Sequence, residues 1–291
     1  MKFIEYIKEA EQKKIAIGHF NIGNLEQLKA IANVGIKLNV PLIIGVSEGE
    51  REYLGTQHVA DFVASYNKIY GKEGGFHLYL NADHTHSLEK IEEAVRAGFD
   101  AVLFDGGKLP IEENIRLTKE AVRVARSINP DIVIEGELGY IGSSSQIFEK
   151  IPDGAEIGPD QLTSVESAKR FVLETGVDLL APAVGNVHGM YANMKNPHID
   201  SERIKSMKHE ISASLVLHGG SGVSDDDFIA AINAGVSIIH ISTELRYVWR
   251  TKLEAVLREH PMEIAPSKIM PELLNAIEDV VEKRVRLFFR M

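Results

Sequence analysis

The chain has 291 residues, 44% hydrophobic and 25% charged, enough for a large buried core in one α/β barrel or in two smaller domains. A net charge of -10 argues against a general nucleic-acid or anionic-membrane surface, and the lack of cysteine excludes disulfides and thiolate metal sites, so a tightly held metal must use His, Asp and Glu. The opening MKFIEYIKEAEQKK is charged and amphipathic with no signal-peptide core, and no apolar stretch approaches the ~18 residues that span a bilayer, so a cytoplasmic protein is expected.

In chain order, continuous apolar runs alternate with helical patterns. KIAIGHFN (14–21) precedes NLEQLKAIANVGIKLN, which carries Leu25, Leu28, Ile31 and Val34 on one stripe. PLIIGVS (41–47) and HLYLNADH (77–84) follow, the latter leading into SLEKIEEAVRAGF with Ser87 placed to cap. AVLFDGG (101–107) leads to a helix opening at Pro110, and DIVIEGELG (131–139) to TSVES, where Thr163 and Glu166 have capping-box spacing. LLAPAVGN (179–186), SLVLHGGSG (214–222) and SIIHIST (237–243) complete the strands. SDDDFIAAINAG places acids in its first turn, ELRYVWRTKLEAVLREH follows the last strand, and PELLNAIEDVVEKRVRLFF adds a C-terminal helix. Unbroken rather than alternating apolar runs mark parallel strands covered on both faces. Eight such β–α units predict a single-domain TIM (β/α)8 barrel over residues 1–291 with one extra C-terminal helix.

In such a barrel the polar residues at strand C-termini converge on one mouth. They are Asn21, Ser47, Asp83 with His84, Asp105, Glu135 with Glu137, His188, His218 with Gly219 to Gly222, and Thr243. A lone strand-end histidine, such as His19 or His77, reads as a core residue. Three from three strands, His84, His188 and His218, suit a catalytic zinc, because three imidazoles leave one coordination position open. HGGSG (218–222) lets backbone N–H groups approach an anion, and Ser221 adds a donor, on the strand-7 and strand-8 loops where barrels bind phosphate. A glycine turn that only lets a helix pack is the alternative. The long irregular segments 140–162 and 188–199 both follow strands, on the functional face.

Taken in order, FNIGNLEQLKAI, the DH of NADHTHS, GFDAVLFDGG, EGELG, VGNVHGMY, LVLHGGSG and the STEL segment resemble the class II, zinc-dependent fructose- and tagatose-bisphosphate aldolases over essentially the whole chain. The resemblance implies that His84, His188 and His218 bind Zn²⁺, with another divalent metal or an added monovalent cation as open alternatives. It implies that Asp83 moves the hydroxyl proton, that Gly189, Gly219, Ser221 and Thr243 hold the phosphate of dihydroxyacetone phosphate, and that Asp105 and Glu137 form a second metal position. Asn21 and Ser47 match substrate-side positions, and His240 faces the ligand from strand 8. The implied partner is a small sugar phosphate, and the implied assembly a homodimer or homotetramer. The implied reaction is reversible cleavage of a ketose 1,6-bisphosphate to dihydroxyacetone phosphate and glyceraldehyde 3-phosphate.

Three positions depart from the family pattern. His240 stands where asparagine is usual, and Asn81 where a histidine usually precedes the aspartate. The loop YIGSSSQIFEK lacks the acids tied to proton transfer at carbon, which leaves His86, Glu149, Asp153 or a substrate phosphate as substitutes. His86 also reads as a surface histidine at a helix start. Arg246 and the arginines of the C-terminal helix are candidates for a second phosphate. Rival readings are a different sugar-phosphate or aldehyde substrate, a non-catalytic sugar-phosphate binding protein, and a metal-dependent amidohydrolase. The last fits poorly, since its His-x-His pair belongs after strand 1. A Schiff-base aldolase needs a lysine inside a strand; Lys108 lies just beyond strand 4.

Overall fold

The computed structural model describes residues 2–142, 146–148, 162–191 and 196–291. Its strands are Ile17–Asn21 (β1), Leu42–Ser47 (β2), Leu78–Thr85 (β3), Ala101–Phe104 (β4), Val133–Leu138 (β5), Ile147–Phe148 (β6), Leu179–Pro182 (β7), Met190–Tyr191 (β8), Ser214–Leu217 (β9) and Val236–Ile241 (β10). All but β6 and β8 close into a parallel barrel in the order β1-β10-β9-β7-β5-β4-β3-β2, the TIM-barrel arrangement expected from the alternating pattern. The helices are Phe3–Lys13 (α1), Leu25–Leu38 (α2), Glu48–Leu54 (α3), Thr56–Tyr70 (α4), Leu88–Ala97 (α5) and Ile111–Ile128 (α6). Val165–Thr175 (α7), Ser201–Glu210 (α8), Asp225–Ala234 (α9), Thr243–Glu259 (α10) and Pro266–Phe289 (α11) follow. None of the described helices is long and apolar enough to cross a membrane.

Local chemistry accounts for most boundaries. Asn24 caps α2 by accepting from Gln27 N–H, and Ser87 caps α5 by accepting from Lys90 N–H. The predicted capping box of α7 shifts by one residue: Ser164 is the cap, accepting from Ser167 N–H. The Thr163 hydroxyl is engaged elsewhere, donating to Leu138 C=O and accepting from Ala183 N–H, so it ties β5 to β7 instead. Strands β4, β7 and β9 stop earlier than their apolar runs suggest, at Phe104, Pro182 and Leu217. Gly106, Pro182 and Gly219 break the ladders there and turn the polar residues into the mouth. The last helix begins at Pro266 and carries Pro271 inside it, five residues ahead of the expected start.

The two ends of the barrel differ in chemistry. At the N-terminal end α1 plugs the opening, packing Phe3, Ile7 and Ala10 against Ile17, Ile43, Tyr79, Val216 and Ile238. The Phe3 ring stacks on Tyr79 with centroids 4.1 Å apart. Each buried Ile or Val side chain here contributes about 1.5–3 kcal/mol, so this end is an apolar floor. Between barrel and helices lies the main core, closed on one side by Ile277, Val281, Val285 and Phe288 of α11, all fully buried. The polar strand ends are left to face the opposite mouth. Among the described residues after β5 and β7, β6 and β8 pair in parallel, Ile147 opposite Met190 and Phe148 opposite Tyr191.

Candidate active site

The end of β3 is bent into the mouth. Its register against β4 shifts between Ala82 and Thr85, and His84 sits at φ 37°, a left-handed conformation that costs a residue with a Cβ of order 1 kcal/mol. A buried arginine holds this bend: Arg51 donates to Val46 C=O at 2.6 Å, Thr85 Oγ1 at 2.8 Å and Asp83 C=O at 3.3 Å. Sequence reasoning missed Arg51, whose only signal was a charge one turn into the helix after β2.

The bend brings His84 to His188, from the loop after β7, and to His218, just beyond β9. Their rings lie 4.9 Å, 5.0 Å and 5.8 Å apart, and one nitrogen of each falls within 4.8 Å of the others. The outer nitrogens are engaged, which fixes the tautomers. His84 Nδ1 donates to Asp105 Oδ2 at 2.8 Å, His188 Nδ1 to Gly142 C=O at 2.9 Å, and His218 Nε2 to Glu135 Oε1 at 2.7 Å. His84 Nε2, His188 Nε2 and His218 Nδ1 are left as lone-pair donors, and the last is buried without any hydrogen-bond partner. This donor set fits a divalent metal. Burial opposes charge on His84, yet Asp83, Asp105 and Glu137 together push its pKa up to about 10, so the carboxylates around it favour positive charge at this position, and a metal would bind there by displacing the Nε2 proton. Burial and the neighbouring rings push His188 down to about 3, leaving it neutral. His84, Asp105 and Glu137 form a second group within 4.8 Å. Burial pushes Glu137 up to about 7, whereas for Asp105 burial is outweighed by the His84 hydrogen bond, which holds it at about 2.

Asp83 stands beside the three histidines. Its Oδ2 accepts from Asn21 Nδ2 at 2.9 Å, while Oδ1 is buried with no hydrogen bond, 3.8 Å from His84 Nε2 and 3.5 Å from His240 Nδ1. Burial works against its charge, but His84 and His240 more than compensate and hold the carboxyl well below the usual range. His240 lies between His19 and His218, stacked on both. His19, expected to be an ordinary core histidine, is indeed fully buried, but it also supports the site from β1.

On the other side of the mouth, Gly219 has φ +62°, and a Cβ there would lie 2.3 Å from Val187 C=O, so only glycine lets the His218 and His188 segments meet. Ser221 Oγ accepts from Ser242 N–H at 3.3 Å and Glu244 N–H at 3.1 Å, at the start of α10. Asn21, Ser47, Gly189, Gly219, Ser221, His240 and Thr243 all line one cleft of about 290 Å³ with the histidines, Asp83, Asp105 and Glu137. Lys108 and Arg246 also reach it, and His86 opens onto it with a side chain 60% exposed. His77 stays outside, against Tyr79. Glu149 and Asp153 lie outside the described residues. The C-terminal-helix arginines do not line the cleft: Arg284 pairs with Glu244 and Asp225, Arg286 with Glu282, and Arg290 with Asn233.

Comparison with known proteins agrees with this geometry. The family model described as fructose-bisphosphate aldolase class-II matches residues 1–290. Among curated proteins, the chain is 33% identical over 285 residues to a 6-phospho-5-dehydro-2-deoxy-D-gluconate aldolase of Bacillus licheniformis, covering 98% of this chain and 93% of that one. It is 34% identical to the protein of that name from Shouchella clausii, covering 97% and 92%. Among solved structures, the YdjI aldolase of Escherichia coli K12 superposes with a TM-score of 0.79 at 27% identity, over 99% of this chain and 96% of the other. A whole-chain family match, relatives above 30% identity and a shared barrel together show that the chain belongs to the class II fructose-bisphosphate aldolase family and is an aldolase.

Proposed function

We propose that this aldolase releases dihydroxyacetone phosphate from a phosphorylated keto sugar or keto acid, using a divalent metal held by His84, His188 and His218 and Asp83 as the group that moves the hydroxyl proton. One observation carries the reading: each histidine has its outer nitrogen on a fixed acceptor, and all three inner nitrogens meet beside the open Oδ1 of Asp83. A bound metal, zinc in the first instance, would supply Lewis-acid stabilisation of charge on the ketone and hydroxyl oxygens.

The remaining chemistry falls to the chain. Asn21 engages Oδ2 of Asp83, so Oδ1 is the oxygen free to take the proton of the hydroxyl β to the ketone. The carbon–carbon bond then breaks, its electron pair stays with the ketone half, and that half is reprotonated at carbon. In condensation Asp83 returns its proton to the new hydroxyl. The proposed phosphate site is Gly189, Gly219, Ser221 and Thr243, where glycines expose backbone N–H groups beside the first turn of α10. Asp105 and Glu137 are proposed to orient His84 and offer the second metal position.

Fructose 1,6-bisphosphate and tagatose 1,6-bisphosphate both yield dihydroxyacetone phosphate on such cleavage. So would the substrate for which the two curated relatives are named, broken between C3 and C4, with 3-oxopropanoate as the other product. The donor half is therefore common to all. The test is release of dihydroxyacetone phosphate from each of the three by metal-stripped protein, before and after zinc is restored. Release only with metal, reduced by about 10²–10⁴ in Asp83→Asn, supports the proposal. Release without metal overturns it, as does no release from any of the three together with no condensation of dihydroxyacetone phosphate with an unphosphorylated aldehyde.

A further inference from the structure

Asp83 marks where the two substrate halves meet, because the hydroxyl it serves belongs to the half that leaves as aldehyde. With the phosphate of the other half at Gly219 and Ser221, the aldehyde half extends past Asp83 over the ends of β1 and β2. The groups there are Asn21, Ser47 and Arg246, and all are already engaged by one carboxylate. Glu50, in the first turn of α3, accepts from Ser47 N–H at 2.8 Å and from Ser47 Oγ at 2.8 Å. Its Oε2 also lies 3.4 Å from Asn21 Nδ2, and its Oε1 receives Arg246 Nη2 at 2.6 Å. The Glu50 side chain is 13% exposed, so this charge is little screened by solvent.

A phosphate dianion at this end would lie against Glu50 and would have to share Arg246 with it. From these contacts, and resting on the donor-half assignment above, we infer that the aldehyde half carries no phosphate and that Glu50 is the residue that discriminates. A phosphate dianion facing this largely buried carboxylate is disfavoured, whereas a hydroxyl can both donate to Glu50 and accept from Ser47 or Asn21. Arg246 in this arrangement is a partner of Glu50 rather than a phosphate receptor. The other cation at the mouth, Lys108, follows β4, on the opposite side of the barrel from β10.

The matched pair D-glyceraldehyde and D-glyceraldehyde 3-phosphate tests this, since the two differ only in the phosphate. With dihydroxyacetone phosphate as donor on zinc-loaded protein, kcat/KM is expected to favour the unphosphorylated aldehyde by about tenfold or more. Glu50→Gln keeps an acceptor for Ser47 while removing the charge, and should shift the ratio at least about tenfold toward the phosphorylated aldehyde. Arg246→Met in that background should return the ratio. Preference of the unaltered protein for glyceraldehyde 3-phosphate overturns the inference, and if Lys108→Met abolishes that preference, Lys108 is the receptor. An unchanged ratio in a folded Glu50→Gln protein overturns the role of Glu50. Condensation with neither aldehyde, together with no cleavage of the three substrates above, would remove the donor-half assignment as well; cleavage without condensation overturns this inference alone.

Discussion

The His240 imidazole lies flat on that of His19, with ring centroids 3.4 Å apart and planes 2° from parallel. His218 covers the other face at 3.9 Å, so His240 is packed between two rings. Its Nδ1 consequently stays 3.5 Å from Asp83 Oδ1, while Asn81 Nδ2 approaches His19 Nε2 at 3.1 Å and steadies the bottom of the stack. Asn81 and His240 are thus joined through a third residue, His19. Stacking of this kind adds about 0.5–1.5 kcal/mol to the burial of the rings. Truncating a buried ring of this size costs about 3–5 kcal/mol, so His19→Ala should lower stability by that order in urea. It should also lower kcat more than KM, with zinc content unchanged, because the ring acts on Asp83 through His240. Unaltered kcat in a folded His19→Ala protein would reduce His19 to a packing residue.

The acceptors behind the three histidines make a second prediction. Asp105 and Glu135 each take the outer N–H of a proposed ligand, at 2.8 Å and 2.7 Å. Removing such a partner typically weakens metal binding 10–100-fold, so Asp105→Ala and Glu135→Ala should each do so in competition with a chelator. Metal bound only by the folded protein also stabilises it by mass action, so EDTA treatment should lower Tm and zinc should restore it. Zinc affinity unaffected by both substitutions would separate these carboxylates from the metal.

Asp100 supplies a pH dependence far from the site. Its Oδ2 accepts from Leu80 N–H at 2.8 Å at the start of β4, and burial pushes its pKa up to about 6 from 3.8. A carboxyl with a raised folded-state value binds a proton in the native state that the unfolded chain has already lost. Its contribution to stability is therefore present below pH 4 and falls away as pH rises to about 6, by at most about 3 kcal/mol. Asp100→Asn should remove that component, making the variant more stable than the unaltered protein at pH 7.5 by about 1–2 kcal/mol and not at pH 4. Urea midpoints at the two pH values decide it; the same difference at both would mean that Asp100 does not titrate in this window.

The barrel was legible because each strand is apolar along its whole length and each is followed by a helical stripe, and these local patterns survive folding unchanged. His84, His188 and His218 were legible because they close strands whose interiors are otherwise aliphatic. Arg51 and Glu50 were not, since both look like ordinary charges in the first turns of a solvent helix. Only the bend at His84 and the position of α10 beside α3 turn them inward. His19 read as a core histidine and is one; its second role needs the register that sets it opposite His240, fixed by the β1–β10 pairing. Thr163 shows the opposite: its local capping pattern loses to a tertiary hydrogen bond to Leu138.

Arg284 links the C-terminal helix to the proposed phosphate loop. Its side chain is 9% exposed, and it donates to Glu244 Oε1 at 2.7 Å, Glu244 Oε2 at 3.0 Å and Asp225 Oδ1 at 2.8 Å, with the guanidinium 5.0 Å from the Phe228 ring. Glu244 Oε1 in turn accepts from Gly222 N–H at 3.0 Å, inside the glycine loop. Removing one partner of a buried pair leaves the other uncompensated, at about 3–5 kcal/mol; Asp225 is half exposed, so the lower end applies to Arg284→Ala. If the arginine holds the loop as well as the helix, the variant should also raise KM for dihydroxyacetone phosphate in condensation while leaving KM for the aldehyde unchanged. Arg284→Lys keeps the charge but not the two-pronged contact, and should fall between. Lost stability with an unchanged KM for dihydroxyacetone phosphate would show that Arg284 anchors α11 alone, and that the glycine loop keeps its shape through Ser221 and the first turn of α10.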